Sequence, residues 1–366
     1  MNTASVMNAA SAATPTALVM AGGTGGHIFP GLAVAQALRG RGWRVHWLGA
    51  PTGMEHELVP PQGFAFEPVQ FGGVRGKGLA TLLRLPARLL RALWQSACVL
   101  RRVRPDVVIG LGGYITFPGG LMSALLRKPL VLHEQNSVAG LANKLLARVA
   151  RRVFTAFPRV LDPGEWVGNP LRAAFLEQPP PQERFAGRNG PLRLLVIGGS
   201  LGAQALNRVV PQALARIAPP LRPVVRHQSG AKQIDALRAN YAAAGVQAEL
   251  IPFIDDTACA FAEADLIIAR AGASTVTEIA AVGAAALFVP FPAAVDDHQS
   301  ANARFLADAG GGWLIAQSAL TPQSLADLIQ NMTRAALLER AIKARTLAKT
   351  DAVEQIVRAC EDLTQQ

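Results

Sequence analysis

The feature that most constrains the fold is a strand–glycine turn–helix unit that occurs twice in this 366-residue chain. The first unit has an apolar strand at residues 17–21, a glycine-rich turn at 22–27 and a helix at 29–41. The second has a strand at 192–197, a turn at 198–202 and another helix. Apolar strands and helical segments alternate after each unit, as parallel sheets require. The sequence therefore predicts an α/β fold with two doubly wound halves, and a ligand site between them at the carboxyl ends of the strands.

Further strands, a linker and a helical tail are predicted from the rest of the sequence. Further strands are predicted at residues 44–48, 106–110, 129–133, 153–156, 223–227, 249–252, 266–269 and 286–290. The proline-rich segment 178–191 reads as a linker between the halves. The tail, residues 325–364, is predicted to be mostly helical.

Composition narrows the classes of protein that fit. Half of the residues are apolar, which supports sizeable cores, and the formal net charge of +11 indicates an anionic partner. Three widely spaced cysteines suit a reducing compartment rather than a disulfide framework.

The first 16 residues lack the basic start and apolar core of a signal peptide, so we expect a cytoplasmic protein. Glycine and proline interrupt the two long uncharged stretches, 107–126 and 279–295, so we expect buried α/β segments there and not membrane spans.

Glycine-rich turns follow three of the predicted strands, at residues 22–27, 110–114 and 198–203. Glycine lets backbone amides approach an anion, and the start of the next helix adds a favourable dipole. One such turn could be purely structural, but three suggest a site that handles more than one phosphate group. The first turn is not a dinucleotide fingerprint, because Ile28 stands where the third glycine would be.

Polar residues follow several of the same strands. His27 could act as a base or a hydrogen-bond donor, or simply cap or pack the helix. Residues 133–136 (HEQN) are expected to line the cleft, with a buried network as the alternative. Residues 272–278 (GASTVTE) fit a capping box or a nucleotide site, and the two can coexist. Residues 296–299 (DDHQ) suit recognition of sugar hydroxyls, since no second cluster supports a metal.

A basic, leucine-rich segment extends from Arg75 to Arg104 without any acidic residue. Arginine interleaved with leucine favours contact with an anionic membrane surface, and a solvated helix face is the alternative. Pro86 is expected to end or kink a helix within this segment.

Together these motifs resemble those of the MurG glycosyltransferases, over a stretch from about residue 17 to the C-terminal helix. The motifs are GGTGGH at 22–27, GGY at 112–114, HEQN at 133–136, GNPLR at 168–172, GGS at 198–200, FIDD at 253–256 and GASTVTE at 272–278. The resemblance implies a GT-B fold of two Rossmann-like domains facing across a cleft. It implies transfer of N-acetylglucosamine from UDP-N-acetylglucosamine to undecaprenyl-pyrophosphoryl-muramyl-pentapeptide in peptidoglycan synthesis. The turn that contains Ser200 and the helix that starts near Ala273 would stabilise the charge of the leaving group, so we expect no cofactor or metal.

The resemblance also implies domains and location. Residues 1–172 would form the acceptor and membrane-associated domain, and residues 173–345 the UDP-sugar domain. Residues 346–366 would form a helix that packs back on the first domain. The protein would lie peripherally on the cytoplasmic face of the inner membrane. The rivals are another GT-B UDP-sugar enzyme, such as a glycolipid synthase or a UDP-sugar 2-epimerase, and a nucleic-acid-binding protein, for which no motif is present.

The resemblance assigns roles to individual residues. His27 is the first choice for the catalytic base and Glu134 the second. Three residues of the first turn, Thr24, Gly25 and Gly26, would lie near the donor sugar and the acceptor phosphates, and Asn136 would contact a sugar. Arg172 and Ser200 would lie around the nucleotide, and Ile254 would contact uracil. Phosphate and ribose would be bound by Ala273, Ser274, Thr275, Val276 and Thr277, the ribose also by Glu278, and the sugar by Gln299. Family members carry two glutamines where this chain has His298 and Gln299, so a sugar-reading role is assigned to Gln299 alone.

Overall fold

The strands form two parallel sheets in the computed structural model, which describes residues 14–72, 84–199, 202–294 and 297–365. The seven strands of the first sheet are β1 (Thr16–Met20), β2 (Arg44–Gly49), β3 (Ala65–Pro68), β4 (Val107–Gly110), β5 (Leu130–Glu134), β6 (Arg152–Thr155) and β7 (Glu165–Trp166). The six strands of the second are β8 (Arg193–Ile197), β9 (Val224–Gln228), β10 (Glu249–Ile251), β11 (Leu266–Ala269), β12 (Ala286–Phe288) and β13 (Gly312–Leu314).

Helices connect these strands and cover the sheets. Those of the first half are α1 (Gly25–Gly40), α2 (Met54–Leu58), α3 (Leu85–Val103), α4 (Thr116–Leu125) and α5 (Leu141–Leu146). Those that follow are α6 (Ala173–Leu176), α7 (Pro181–Phe185), α8 (Gln204–Ala215), α9 (Ile234–Ala244), α10 (Thr257–Glu263), α11 (Ala273–Val282), α12 (His298–Ala307), α13 (Pro322–Gln330), α14 (Arg334–Thr346) and α15 (Ala352–Thr364). The predicted α/β class is confirmed.

The strand order explains where a ligand can bind. The orders are β3-β2-β1-β4-β5-β6-β7 and β10-β9-β8-β11-β12-β13, so each sheet reverses direction beside its first strand. Crevices in open parallel sheets form at such reversal points, beyond the carboxyl ends of the strands. The glycine turns after β1, β4 and β8 lie at these two points.

The central strands owe their position to burial on both faces. Every residue of β1 is buried, and Val19 pairs with Trp47 on one side and with Ile109 on the other. Each sheet has apolar core clusters on it, which is why its inner strands appear in the sequence as continuous apolar runs. The short strands β3, β7 and β13 lie at sheet edges and were not predicted, because their mixed composition carries no such run.

Helix α1 begins earlier than predicted. It starts at Gly25 and not at Phe29, so Gly25, Gly26 and His27 form its first turn. Glycine is a poor helix former, which hides this start in the sequence. The earlier start matters for the site, because it places the amides of these residues at the positive end of the helix.

The predicted linker is an anchored part of the second half. Residues 181–185 form helix α7, and the guanidinium of Arg184 donates to the carbonyl oxygens of Ala262, Val282 and Gly283. Arg188 pairs with the buried carboxylate of Asp265 at 2.7 Å. These bonds satisfy carbonyls at helix ends and anchor the segment that was predicted to be a linker.

The basic segment is described only from Arg84 onward, because residues 73–83 lie outside the described part of the chain. Pro86 occupies the first turn of α3, where its missing N–H costs nothing. Pro86 therefore does not kink α3, and the prediction that it ends a helix falls on residues 73–83, outside the described residues. No helix within the described ranges is long and apolar enough to cross a membrane.

The last helix, α15, lies on the first half of the chain. It packs against α1, and Ile356, Val357 and Cys360 join the core beneath β1. Arg41, just after α1, pairs with Glu354 and Glu361. The domain boundaries given above stay predictions.

Candidate active site

Two helix starts, one from each half, face each other between the sheets. Helix α1 follows β1 through the glycine turn, and helix α11 follows β11 with Gly272 before its first residue. The Ser274 hydroxyl lies 3.5 Å from the carbonyl oxygen of Gly26. Neither start has a side-chain cap among the described residues, so the expected capping box at 272–278 is wrong. Uncapped first-turn amides suit anionic groups.

His27 lies at the end of the glycine turn, against the second turn. Its Nδ1 is 3.2 Å from the Gly22 carbonyl oxygen and 3.4 Å from the Thr24 hydroxyl. A Cβ at Gly112 would come within 3.0 Å of the His27 Nε2, so only glycine fits there. Burial lowers the pKa of His27 below its ordinary value of 6.5, and the charge of nearby Glu134 opposes that shift. His27 is therefore neutral at pH 7 and able to accept a proton.

The HEQN run is mostly a buried network. Burial lowers the pKa of His133 to about 4, and its Nε2 donates to the Gly168 carbonyl oxygen at 2.8 Å. Gln135 completes this network by donating to the His133 Nδ1 at 3.1 Å. The expectation that this run lines the cleft is wrong for His133 and Gln135, because both side chains are buried.

Glu134 organises the loop that follows β5. Its carboxylate accepts from the backbone amides of Asn136 and Gly140, at 2.9 and 3.1 Å, and from the side-chain amide of Asn143 at 2.8 Å. Both oxygens are thus occupied, which favours His27 over Glu134 as the base. Asn136 itself is half-buried at the rim of the site.

Asn302 is a site residue that the sequence reasoning missed. It lies on α12, in the second half, and its Oδ1 accepts from the Ser137 backbone amide at 2.9 Å and from the Ser137 hydroxyl at 2.7 Å. Its Nδ2 lies 3.5 Å from the Asn136 Oδ1. The two halves are therefore linked beside Asn136. The only signal in the sequence is its spacing of three residues from Gln299, which places both on one helix face.

Arg172 and Glu278 form a second link between the halves. The Arg172 guanidinium lies 3.9 Å from the Glu278 carboxylate and stacks over the rings of Phe29 and Phe175 at 5.5 and 4.9 Å. Burial raises the pKa of Glu278 to about 7, against the opposing charge of Arg172. A carboxylate that titrates near neutrality in a cleft is typical of a functional site.

The other predicted residues are placed as follows. Ala273 and Val276 face the core, so a ligand can meet only their backbone, while Ser274 and Thr275 are partly exposed. The Thr277 hydroxyl lies 3.2 Å from the Asn169 amide of the first half.

Of three remaining predicted residues, one lies on a loop, one lies in the first turn of α12 and one is not described. Ile254 is half-buried between β10 and α10. The Gln299 Oε1 accepts from the amides of Ala271 and Phe291, which ties two strand ends together. Ser200 lies outside the described residues, as does Asp296.

Comparison with known proteins gives a consistent result. Residues 17–155 match the glycosyltransferase family 28 N-terminal domain, and residues 193–356 match the family 28 C-terminal domain. A UDP-N-acetylglucosamine--N-acetylmuramyl-(pentapeptide) pyrophosphoryl-undecaprenol N-acetylglucosamine transferase of Paracidovorax citrulli is 73% identical, over 95% of this chain and 98% of that protein. The protein of the same name from Ralstonia nicotianae is 63% identical, over 94% and 95%.

Solved structures agree with these matches. The crystal structure of Acinetobacter baumannii MurG superposes with a TM-score of 0.84 at 43% identity, covering 95% of this chain and 99% of that one. The calicheamicin glycosyltransferase CalG4, at 16% identity and a TM-score of 0.69 over 96% and 99% of the two chains, shows the shared GT-B fold alone. By sequence and by structure, the chain belongs to the MurG family of glycosyltransferases, within glycosyltransferase family 28.

Proposed function

We propose that this protein transfers N-acetylglucosamine from UDP-N-acetylglucosamine to the 4-hydroxyl of undecaprenyl-pyrophosphoryl-N-acetylmuramyl-pentapeptide. The observation that carries the proposal is the meeting of two uncapped helix starts, α1 and α11, across the cleft. One start can hold phosphate of a soluble donor, and the other can hold phosphate of a lipid-linked acceptor. The relatives with this name share more than 60% of their residues with this chain.

The reaction is an inverting displacement. The acceptor 4-hydroxyl attacks the anomeric carbon, the bond from that carbon to UDP breaks, and the hydroxyl proton passes to the Nε2 of His27. The amides at the start of α11 and of the turn after β8 stabilise the charge that develops on UDP. Thr24, Gly25 and Gly26 contact the donor sugar and the acceptor phosphates, and Glu278 binds the ribose.

The transfer is tested with labelled UDP-N-acetylglucosamine and the lipid-linked muramyl acceptor. We expect label in the lipid phase, and none when the acceptor is omitted. Conversion of UDP-N-acetylglucosamine to an epimer without acceptor would instead identify a UDP-sugar 2-epimerase, which the named relatives do not favour. Salt-sensitive binding of DNA or RNA with no transfer would identify the nucleic-acid-binding alternative.

The acceptor's lipid suggests that the first half rests on the membrane surface. Leu90 and Trp94, one helical turn apart on α3, are each 67% exposed. Helix α4 packs beside α3 and α5 packs beside α4, and these helices expose Leu125 and Leu141 to a similar extent. None of the three helices contains an acidic residue, whereas α3 carries several arginines. An exposed apolar patch with basic neighbours suits the interface of an anionic bilayer.

Replacing Leu90 and Trp94 together by serine is expected to weaken binding to anionic phospholipid vesicles at least tenfold. Burial of one such side chain contributes about 1.5–3 kcal/mol, and each 1.4 kcal/mol is a factor of ten. Sedimentation with vesicles measures the effect, and transfer to a water-soluble acceptor analogue should stay unchanged. L221S is the matched control, because Leu221 is equally exposed but lies on the second half. Equal vesicle binding by the double variant and L221S would reject this surface.

A further inference from the structure

One peptide group in the glycine turn is hydrogen-bonded at both ends. Its carbonyl oxygen, that of Gly22, lies 3.2 Å from the His27 Nδ1. Its N–H, that of Gly23, donates to the Glu55 Oε2 at 3.0 Å. Glu55 on α2 and His27 on α1 are therefore joined through a single peptide, although they are 28 positions apart in the sequence.

The surroundings of Glu55 are built to hold a carboxylate under this turn. Its side chain is buried, with 1% of the residue exposed, and its other oxygen accepts from the Ala50 amide at 2.9 Å. A Cβ at Gly22 or Gly53 would lie 2.4 Å from its carboxyl atoms, and one at Gly49 would lie 2.7 Å from its Cγ. Three glycines thus leave the space that this side chain occupies.

The second half holds its own glycine turn with a neutral group. There the side chain of Gln228, at the end of β9, accepts from the Gly198 amide at 3.2 Å and donates to the Gly199 carbonyl oxygen at 3.1 Å. That amide side chain meets one N–H and one carbonyl oxygen of its turn, whereas Glu55 meets two N–H donors, those of Gly23 and Ala50, which only a carboxylate can both accept. The first turn differs further in that His27 is bonded to the same peptide.

We propose that Glu55 is a positioning residue for His27, acting through the Gly22–Gly23 peptide; this rests on the proposed role of His27 as the base. A carbonyl oxygen can only accept a hydrogen bond, so its partner Nδ1 must carry the proton and Nε2 keeps the lone pair. A carboxylate on the N–H end polarises the peptide and strengthens the bond at its carbonyl end. The Thr24 hydroxyl, 3.4 Å from Nδ1, is a secondary partner of the same nitrogen.

The charge of Glu55 also acts on the proton that His27 takes up. Two carboxylates face the imidazole, Glu134 from β5 and Glu55 from α2, and both favour its protonated form. Burial and His298, at the start of α12, oppose protonation. Glu55 thus stabilises the imidazolium that forms when the acceptor hydroxyl gives up its proton.

The test is Glu55→Gln, which gives the first turn the type of side chain that the second turn already has. We expect kcat to fall about tenfold, a fraction of the 10²–10⁴ that a general base contributes. The acid limb of the pH profile of kcat, measured at saturating donor, should move to lower pH, because a negative charge near His27 is lost. UDP affinity should stay unchanged, whereas the melting temperature should fall, because glutamine has one side-chain oxygen for the two N–H donors of Gly23 and Ala50. E57Q is the matched control, since Glu57 is on the same helix but exposed.

Two further measurements distinguish the positioning role of Glu55 from the role of His27 as the base. If H27A keeps normal turnover, His27 is not the base, whatever E55Q does. If H27A lowers turnover as expected, E55Q should add no further loss to the residual turnover of H27A, and the ¹⁵N shifts of His27 should show less of the Nδ1–H tautomer in E55Q. An unmoved acid limb, with the same loss from E55Q in both backgrounds, would overturn the role of Glu55 alone.

Discussion

Replacing His27 by alanine is expected to lower kcat by about 10²- to 10⁴-fold, the range that a positioned general base contributes. The imidazole lies between the two glycine turns of the first sheet, with Nδ1 bonded to the Gly22 carbonyl oxygen and Nε2 close to Gly112. Burial lowers its pKa, so the ring is neutral at pH 7. Loss of the ring removes the group that is proposed to take the hydroxyl proton.

Donor binding should survive this change, because the proposed UDP site is built from the second half. UDP affinity of H27A, measured by calorimetry, is expected to match that of the unaltered protein, as is that of the control H56A, in which an exposed histidine is replaced. In the unaltered protein, kcat at saturating donor should fall only as pH drops below 6.5, because protonation then removes the proposed base. Near-normal turnover of H27A would reject the assignment.

The sequence predicts the inner strands well and the elements at the edges poorly. Strands such as β1 and β11 are buried on both faces and are therefore visible as unbroken apolar runs. The start of α1 at Gly25 is hidden, because the same glycines that open the turn are poor helix formers. The anchoring of Arg184 depends on carbonyls about 80 to 100 positions away, which no local pattern reports.

Some residues of the candidate site were likewise predicted from the sequence, and others were not. Gly25 and Gly26 at the start of α1, and Ser274 at the start of α11, are brought together across the cleft as parallel sheets require. Glu55 and Asn302 were not predicted, because their roles depend on which loops the fold places beside them. A buried carboxylate that bonds two backbone amides has no signature of spacing or composition.

Replacing Glu278 by glutamine is expected to weaken UDP binding by about 10- to 100-fold at pH 8, because a hydrogen bond to a charged group contributes roughly 1.5–3 kcal/mol. The carboxylate is half-buried on α11, 3.9 Å from Arg172, and is proposed to accept from the ribose hydroxyls. Burial raises its pKa to about 7. Donor affinity of the unaltered protein should therefore fall as pH drops below 7, since the protonated acid loses its charge.

The pH dependence distinguishes ribose binding from a structural role. In E278Q the loss of donor affinity between pH 8 and pH 6 should disappear, whereas the control E263Q, at an exposed position of the same half, should keep it. Because the folded-state pKa of Glu278 lies above its ordinary value of 4.5, ionisation destabilises the folded protein as pH rises through 7. E278Q removes that cost, so its melting temperature at pH 8 should equal or exceed that of the unaltered protein. A lower melting temperature accompanied by unchanged pH dependence of UDP binding would assign Glu278 to the fold and not to the nucleotide.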